Sequence, residues 1–426
     1  MPPARSLPAR GAEIRQDVGA LDHFFRHEAG RILALLTKVF GMRNLELAED
    51  MVQETLLEAF TRWSFGSIPE NPSAWVMTVA KRKVLNRLKR DRFLEAHAEA
   101  IAYEIESPEE IDSVFQEAQV GDSMLRMMFA CCHPILPPES RVVLALKILC
   151  GFSPKEIASA LLSKEDAVEK RLQRAKQEFR RRNLPLEIPA GESMASRFRS
   201  VHTCIYLLFN EGYNSSHPEF LIRKDLCMEA MRLCRLVIDH YPEHRPTLAL
   251  MGLMCFHAAR FGSRIDDRGA LVIFQRQDRS LWNRDLIAQG QHFLGEASQG
   301  EELSEFHLEA AIAAEHCSAA DFESTRWEAI DRYYAALSVM KDNPIIELNR
   351  AVILSRISGP EAAIRKLLAL KSDFRLENYY LLHATLGDHY LQIGETDIAR
   401  EYLSRAAGMT TSKTEIDFLK GKMERS

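Results

Sequence analysis

The chain has 426 residues, a formal net charge of −5, and 46% hydrophobic and 27% charged residues. That length suggests about two to four domains, and the composition is typical of a soluble globular protein. No run approaches the roughly 18 apolar residues that span a bilayer, and the first residues lack the apolar stretch of a signal peptide. We therefore expect a cytoplasmic protein that does not bind membranes.

Helical periodicity, with apolar residues at i, i+3, i+4 and i+7, runs through nearly the whole sequence and predicts an all-α fold. The predicted organisation is a disordered lead (1–20), a first helical domain (21–93), a linker (94–120), a second helical domain (121–183), a short linker (184–192) and a helical extension (193–426). In the first domain, Gly41 is a predicted helix C-cap and Ser64–Pro72 a predicted loop. The helix between them carries an apolar stripe that includes Phe60 and Trp63.

Two basic segments stand out against the mildly acidic whole. Seven lysines and arginines and one acid, Asp91, lie within residues 81–92, and a second basic cluster spans 170–182. Localised positive charge favours nucleic-acid contacts, although a charge run is more often a solvated helix face. Unpaired bases stack on aromatic rings, and three aromatic residues lie near the first segment: Trp63, Phe65 and Trp75.

Eight cysteines occur, and without a secretory signal a disulfide framework is not expected. Cys131 and Cys132, followed by His133, have the ligand types of a zinc site. Adjacent cysteines do not readily share one tetrahedral ion, however, and no CxxC pair follows them. We predict a buried helix at this point, with no metal and no other cofactor.

The residues after Gly151 have the spacing of a helix-turn-helix. Ser153 and Glu156 can form a capping box around Pro154 at the first helical position. A turn is predicted around Leu162, and the basic helix that follows has one apolar face: Val168, Leu172 and Ala175. Such a helix can enter a major groove, but an amphipathic surface hairpin fits the periodicity equally well.

Two motifs together resemble the extracytoplasmic-function sigma factors of RNA polymerase. The run AEDMVQET at 48–55, then NPSAW at 71–75 and the basic helix, resembles conserved region 2. The runs LPPESR at 136–141, GFSPKEIA at 151–158 and VEKRLQRA at 168–175 resemble region 4. The order of the two motifs is specific to that family, although Leu162 stands where the family often has glycine.

The resemblance implies roles for individual residues. Three would dock on core RNA polymerase: Asp50, Gln53 and Glu54. Eight would open and read the −10 element of promoter DNA: Trp75, Lys81, Arg82, Lys83, Asn86, Arg87, Lys89 and Arg90. Six would contact the −35 element: Lys164, Lys170, Arg171, Gln173, Arg174 and Lys176. Asp50 and Glu54 also fit a merely solvated acidic face.

The end of the chain fits the spacing of a tetratricopeptide repeat (TPR), which places TPR-like repeats near 327–410. The positions on that grid include Leu386, Gly387, Gly394, Ala399, Leu403 and Ala406. Stacked repeats would present a surface for a peptide or protein partner. Upstream, Asn210–Tyr213 fits an interaction site or a buried polar turn between helices, and the turn is favoured.

The extension is more than half of the chain, far beyond what two small DNA-binding domains need for folding, and we therefore expect it to control the sigma factor in cis. Inhibition and bracing of the two domains both fit its size. The extension resembles that of a large subgroup of these sigma factors, and the resemblance favours bracing, which would make it necessary for activity. We therefore predict a non-enzymatic sigma factor that binds core polymerase and directs promoter recognition and transcription initiation. No arrangement typical of a catalytic triad or a zinc protease occurs. The alternatives are a one-component helix-turn-helix regulator with a ligand-sensing helical domain, and a repeat scaffold with solvated basic helices.

Overall fold

The computed structural model describes residues 18–65, 68–94, 110–111, 114–115, 117–161, 163–182, 186–188, 193–213, 222–266, 272–410 and 413–424. Within these ranges the chain is helical and contains no β-strand, which confirms the all-α prediction. In the same ranges, no helix is both long and apolar enough to cross a bilayer. Most of the predicted lead (1–20), much of the predicted linker 94–120, and Leu162 lie outside the described residues.

The chain divides into two compact units, Met1–Pro242 and Glu243–Ser426. The α-helices of the first unit are α1 (Val18–Phe40), α2 (Leu45–Phe65), α3 (Pro72–Leu94), α4 (Glu117–Cys131), α5 (Pro138–Cys150), α6 (Pro154–Ala160), α7 (Glu165–Arg182), α8 (Ser193–Tyr213) and α9 (Lys224–His240). We call α1–α3 the N-terminal domain and α4–α7 the helix-turn-helix domain. The division falls after Pro242, so α8 and α9 belong to the first unit, because they pack on the helix-turn-helix domain. The linker at 184–192 stays a prediction.

A buried carboxylate connects the first and third helices of the N-terminal domain. Helix α1 ends as predicted at Gly41, whose φ of 76° is readily adopted by glycine and whose N–H donates to Thr37 O at 2.8 Å. Inside α1, Glu28 is fully buried and accepts hydrogen bonds from Arg31 at 2.8 Å and from Ser73 at 2.9 Å. Ser73 lies in the first turn of α3, so this hydrogen bond ties the start of α3 to α1.

The helix-turn-helix forms as the sequence predicted. Gly151 adopts a φ of 66° and separates α5 from α6. The Ser153 backbone N–H donates to Glu156 at 2.9 Å, and the Glu156 N–H donates to Ser153 Oγ at 3.2 Å, which is the predicted capping box. The buried face of α7 consists of Val168, Leu172, Ala175 and Phe179.

The extension completes the core of the helix-turn-helix domain. Phe198 of α8 makes an edge contact with Phe129 of α4, with 5.4 Å between ring centroids, and a second edge contact with Tyr241 at 5.1 Å. The Arg223 N–H donates to Gly212 O at 2.7 Å, where α8 approaches α9 closely. Glu211 and Tyr213 are buried, but Asn210–Tyr213 forms the helical end of α8, so the predicted turn does not lie at these residues. The thiols of Cys131 and Cys132 are buried, and burial raises the pKa of Cys131 well above its usual value.

The second unit consists of α10 (Arg245–Ala258), α11 (Arg284–Ala297), α12 (Glu305–Ser318), α13 (Trp327–Met340), α14 (Pro344–Ser358), α15 (Pro360–Leu370), α16 (Tyr380–Gln392), α17 (Thr396–Met409) and α18 (Lys413–Met423). Each pair of consecutive helices from α12 onward is in contact. In the α16–α17 hairpin, a Cβ on Gly387 would lie 2.7 Å from Leu403 Cγ, so only glycine permits this approach. Gly394, with φ of 81°, turns the chain between them.

Candidate nucleic-acid interface

The basic helix α3 presents one exposed stripe of polar and basic side chains at helical spacing. Its members are Arg82, Asn86, Lys89 and Arg90. The other four residues predicted to read the −10 element are half-buried: Trp75, Lys81, Lys83 and Arg87. The structure thus divides the predicted set into an outward stripe that can reach a ligand directly and residues that lie against the rest of the domain.

Two of the basic residues are held by a carboxylate of α2. Arg82 and Lys83 lie 2.8 and 3.4 Å from the carboxylate oxygens of Glu58. Burial alone would raise the pKa of Glu58, but hydrogen bonds from Arg82 and Lys83 outweigh it and lower that pKa. The charge of Lys83 is therefore largely neutralised inside the domain, and the sequence pattern could not show this because Glu58 lies on another helix.

Trp75 belongs to an aromatic cluster at the start of α3. Its ring lies 5.5 Å from that of Trp63, which in turn stacks on Phe25 at 5.6 Å. The guanidinium of Arg62 lies 5.7 Å from the centre of the Trp75 ring. Trp63 is buried and Trp75 is half-buried, so of these two tryptophans Trp75 is the one available to stack on an unpaired base.

Helix α2 presents the residues that were predicted to dock on polymerase. Asp50, Gln53 and Glu54 are all exposed on one face. Leu57 and Phe60 continue that face with 65% and 53% of their surfaces exposed, so Phe60 lies on the exposed side of α2 while Trp63 is buried. An exposed apolar pair bordered by acids is typical of a protein-binding surface. The sequence signal was available, because Asp50, Gln53, Leu57 and Phe60 recur at helical spacing.

The second helix of the helix-turn-helix, α7, divides its predicted DNA residues between three environments. Lys164, just before its first turn, is exposed, and so are three residues on its outward face: Lys170, Gln173 and Arg174. Arg171 lies half-buried at one side. On the other side, the Lys176 ammonium lies 2.6 Å from Glu49 of α2. In this docked arrangement Lys176 is therefore engaged by Glu49, and its predicted contact with DNA requires that ion pair to break.

The N-terminal domain and the helix-turn-helix domain are docked against each other in the first unit. Helix α7 contacts the 3-10 turn Met42–Asn44, and Arg180 of α7 pairs with Glu46 of α2. Helix α1 packs on α4 and α5, and it approaches so closely that a Cβ on Gly30 would lie 2.7 Å from Leu149 O. The same surface of α2 that carries Asp50 thus also holds the basic end of α7.

Family models match three segments of the chain. Sigma-70 region 2 matches residues 24–93, and sigma-70 region 4 matches residues 126–179. A family of unknown function, DUF6596, matches residues 197–298. An uncharacterized protein of Rhizobium meliloti (strain 1021) is 33% identical over 410 residues, which cover 96% of this chain and 96% of that protein. The chain belongs to the sigma-70 family.

No solved structure matches this sigma factor. Region 2 coincides with the N-terminal domain, and region 4 covers most of the helix-turn-helix domain. The sigma factor acts in promoter recognition with core RNA polymerase, and its interfaces are with promoter DNA and that enzyme. The segment matched by DUF6596 begins inside α8 and ends just after α11, so it runs through the boundary between the two units.

For the sigma factor, we expect Arg174→Ala to weaken use of the −35 element more selectively than Arg171→Ala. Arg174 is on the outward face of α7, where a lost base contact costs roughly 1–3 kcal/mol and relaxes specificity at one position. Arg171 lies at the side, where a lost phosphate contact weakens all sequences alike. In vitro transcription from promoters mutated position by position in the −35 element measures both effects.

Arg181→Ala is the matched control, because Arg181 is an exposed arginine of the last turn of α7 that pairs with Glu178. It should leave transcription close to the wild-type level. Unchanged transcription by Arg171→Ala and Arg174→Ala, from a promoter that needs its −35 element, would remove both residues from the interface.

Proposed function

We propose that this sigma factor reads the −10 element with the exposed stripe of α3 and Trp75, and reads the −35 element with the outward face of α7. We propose further that the exposed face of α2 docks on core polymerase, and that the C-terminal extension controls the activity of the sigma factor in cis. The observation that carries this proposal is that two family-matched DNA-binding segments each present an exposed basic helix face. A peptide or protein partner of the C-terminal helical hairpins stays a prediction.

The docked arrangement of the first unit is incompatible with reading both elements at once. The −10 and −35 elements are named by their positions on the DNA, so they lie about 25 base pairs apart, which is roughly 85 Å at 3.4 Å per base pair. Helices α3 and α7 both contact α2, through Glu58 and Glu49. Those residues are about 14 Å apart along a helix, and adjacent helix axes add roughly 10 Å on each side. The points at which α3 and α7 contact α2 are therefore roughly 35 Å apart at most, far short of 85 Å, and we infer that promoter binding requires the two helices to move apart.

One carboxylate joins the N-terminal domain, the helix-turn-helix domain and the extension. Glu156, in the first turn of α6, accepts hydrogen bonds from Arg26 of α1 at 2.9 Å and from Arg223, which precedes α9, at 3.1 Å. Burial alone would raise the pKa of Glu156, but the hydrogen bond from the Ser153 N–H and the charge of Arg26 lower it to about 2. The carboxylate is therefore charged at neutral pH, and the extension helps to hold the closed first unit together.

The contacts of the extension are of two kinds with different consequences. The ion pair at Glu156 can break when the domains separate, since Arg26 and Glu156 are each about a fifth exposed to water. The apolar contact of Phe198 with Phe129 lies between α8 and α4 and does not involve the N-terminal domain. We infer that α8 stays with the helix-turn-helix domain when the first unit opens, and that the sigma factor needs it.

We expect the free sigma factor to bind duplex promoter DNA weakly, with specificity appearing only with core polymerase. Each exposed basic face neutralises few phosphates, the chain carries a net charge of −5, and the closed arrangement cannot span both elements. Gel shifts of the free chain and of the reconstituted holoenzyme, on promoters selected from a random library, measure the difference.

Tight and sequence-specific shifts by the free chain would favour a one-component regulator that acts without polymerase. The control is a selected promoter with its −35 element scrambled, which separates specific from general binding at the same salt concentration. Holoenzyme that initiates at selected promoters, while the free chain does not discriminate between the two DNAs, is the result we expect.

A further inference from the structure

A groove lies between the helix-turn-helix domain and the first helix of the extension. It has a volume of about 590 Å³ and is walled by the start of α5, by the turn before α7, by α7 itself and by α8. Four of its lining residues carry hydroxyl groups: Ser163, Ser196, Ser200 and Thr203. Three carry guanidinium groups, Arg141, Arg171 and Arg199, against one acid, Glu139. The remaining lining residues are apolar: Pro138, Val142, Leu161 and Leu207. The polar part of the groove therefore favours a ligand that is negatively charged and accepts hydrogen bonds.

The charges of these arginines are not neutralised by carboxylates in the part of the chain that the structure describes. Arg141 donates to Leu136 O at 2.8 Å, to Pro134 O at 3.0 Å and to Ser200 Oγ at 3.3 Å, all of them uncharged acceptors. Arg171 and Arg199 make no side-chain hydrogen bond or ion pair to the described residues, and Arg199 is exposed. The groove thus keeps a positive charge that an external anion can neutralise.

The groove adjoins the surface that reads the −35 element. Arg171 follows Lys170 directly on α7, and Ser163 directly precedes Lys164. Lys170 lies on the outward face of α7, Lys164 lies just before its first turn, and both are exposed. DNA bound along that face would bring its sugar-phosphate backbone to the mouth of the groove. Phosphates are commonly contacted by arginine and by serine or threonine hydroxyls, which are the groups found here.

We propose that this groove holds the phosphate backbone of promoter DNA beside the −35 element, with Arg199 of the extension as a phosphate ligand. Helix α8 is then part of the DNA-binding surface as well as a structural support. Arg171 and Arg199 face one backbone segment from two sides, while Lys170, Gln173 and Arg174 face the bases. This inference rests on the proposed role of α7 in −35 recognition.

The test uses holoenzyme with full-length chains carrying Arg199→Ala, Arg199→Lys or the control Arg235→Ala. Arg235 is an exposed arginine of α9 that pairs with Asp239 and does not line the groove, so its removal changes net charge equally. Dissociation constants are measured from low to moderate salt on a selected promoter and on one with a scrambled −35 element. We expect Arg199→Ala to weaken binding to both DNAs alike and to lower the slope of log K against log salt by about 0.9.

Arg199→Lys should restore much of the slope, because lysine keeps the charge at the groove. Arg235→Ala should match the wild type. Equal affinity and equal slope for Arg199→Ala and Arg235→Ala would overturn the proposal. A loss of affinity confined to the promoter with the intact −35 element would also overturn it, since that indicates a base contact. A lower melting temperature of Arg199→Ala alongside its weaker binding would overturn it too, since that indicates a structural role.

A second arm locates the DNA directly. The eight native cysteines are buried, so a photo-crosslinker attaches selectively to Ser200→Cys in the groove or to Asp239→Cys on α9 as the control. Crosslinks from position 200 to the −35 backbone, without crosslinks from position 239, are expected. Crosslinks from neither position would overturn the groove assignment. If the wild-type holoenzyme selects no promoter, the proposed function is overturned and the groove assignment is not. In that case, crosslinking of the free chain to duplex DNA from position 200 tests whether the groove holds DNA.

Discussion

Gly30→Ala is expected to open the first unit of this sigma factor by separating the N-terminal domain from the helix-turn-helix domain. The new Cβ would lie 2.7 Å from Leu149 O and 3.4 Å from Leu149 C, and a backbone atom cannot yield as the end of a flexible side chain can. Overpacking of this kind costs roughly 1–3 kcal/mol. Alanine has a higher helix propensity than glycine, so the substitution does not destabilise α1 itself. The free-energy cost therefore weakens the contact between α1 and α5.

A cost of that size shifts the equilibrium between closed and open forms by roughly fivefold to more than a hundredfold, since about 1.4 kcal/mol is a factor of ten. Energy transfer between dyes on Thr78→Cys in α3 and Gln177→Cys in α7 measures the separation. Both positions are exposed, and neither is among the residues assigned to DNA or polymerase. We expect lower transfer in Gly30→Ala and, because the closed form cannot span a promoter, more transcription at limiting polymerase.

The matched control for Gly30→Ala is Gly295→Ala in α11, where a new Cβ meets nothing within 4 Å. It introduces the same methyl group and the same gain in helix propensity without a clash, so transfer between the dyes should be unchanged. Equal transfer in the two variants would show that the contact of Gly30 with Leu149 does not hold the domains together in solution.

Truncation after Asn183 is expected to abolish promoter activity by destabilising the helix-turn-helix domain. The deletion removes α8, whose buried side chains pack on α4 and α5: Phe198, Val201, Cys204, Ile205 and Leu208. The single substitution Phe198→Ala should lower the free energy of unfolding by roughly 3–5 kcal/mol, because it removes a buried ring that contacts Phe129 and Tyr241. Denaturant unfolding measures this loss, and reporter transcription at matched protein levels measures activity.

Phe374→Ala provides the control for Phe198→Ala, since Phe374 is 82% exposed and its loss should change stability by less than about 0.5 kcal/mol. Truncations after Ala320 and after Tyr379 leave α8 and α9 in place. If activity is lost only after Asn183, the requirement lies in completing the first unit. Wild-type activity from all three truncations would contradict any control by the extension, whether activating or inhibiting.

Local signals in the sequence determined the helices and their ends. Gly41 and Gly151 end helices because their positive φ angles suit glycine, and Ser153 with Glu156 begins the next helix through a capping box. These signals act between residues within one helical turn, so they can be recognised from the local sequence alone. The two motifs in their order were likewise enough to show the family resemblance, because each motif consists of short contiguous runs.

Only the tertiary structure decided which charges are free to bind and which are already paired. Lys176 pairs with Glu49 across 127 positions, and Arg26 with Glu156 across 130, distances at which helical periodicity carries no information. It also decided that Phe60 is exposed and that Arg199 shares a groove with Arg171. Each of these outcomes depends on which faces meet when helices pack. Which helix faces meet depends on the apolar surface that is buried over the whole first unit, so no single segment of the sequence specifies it.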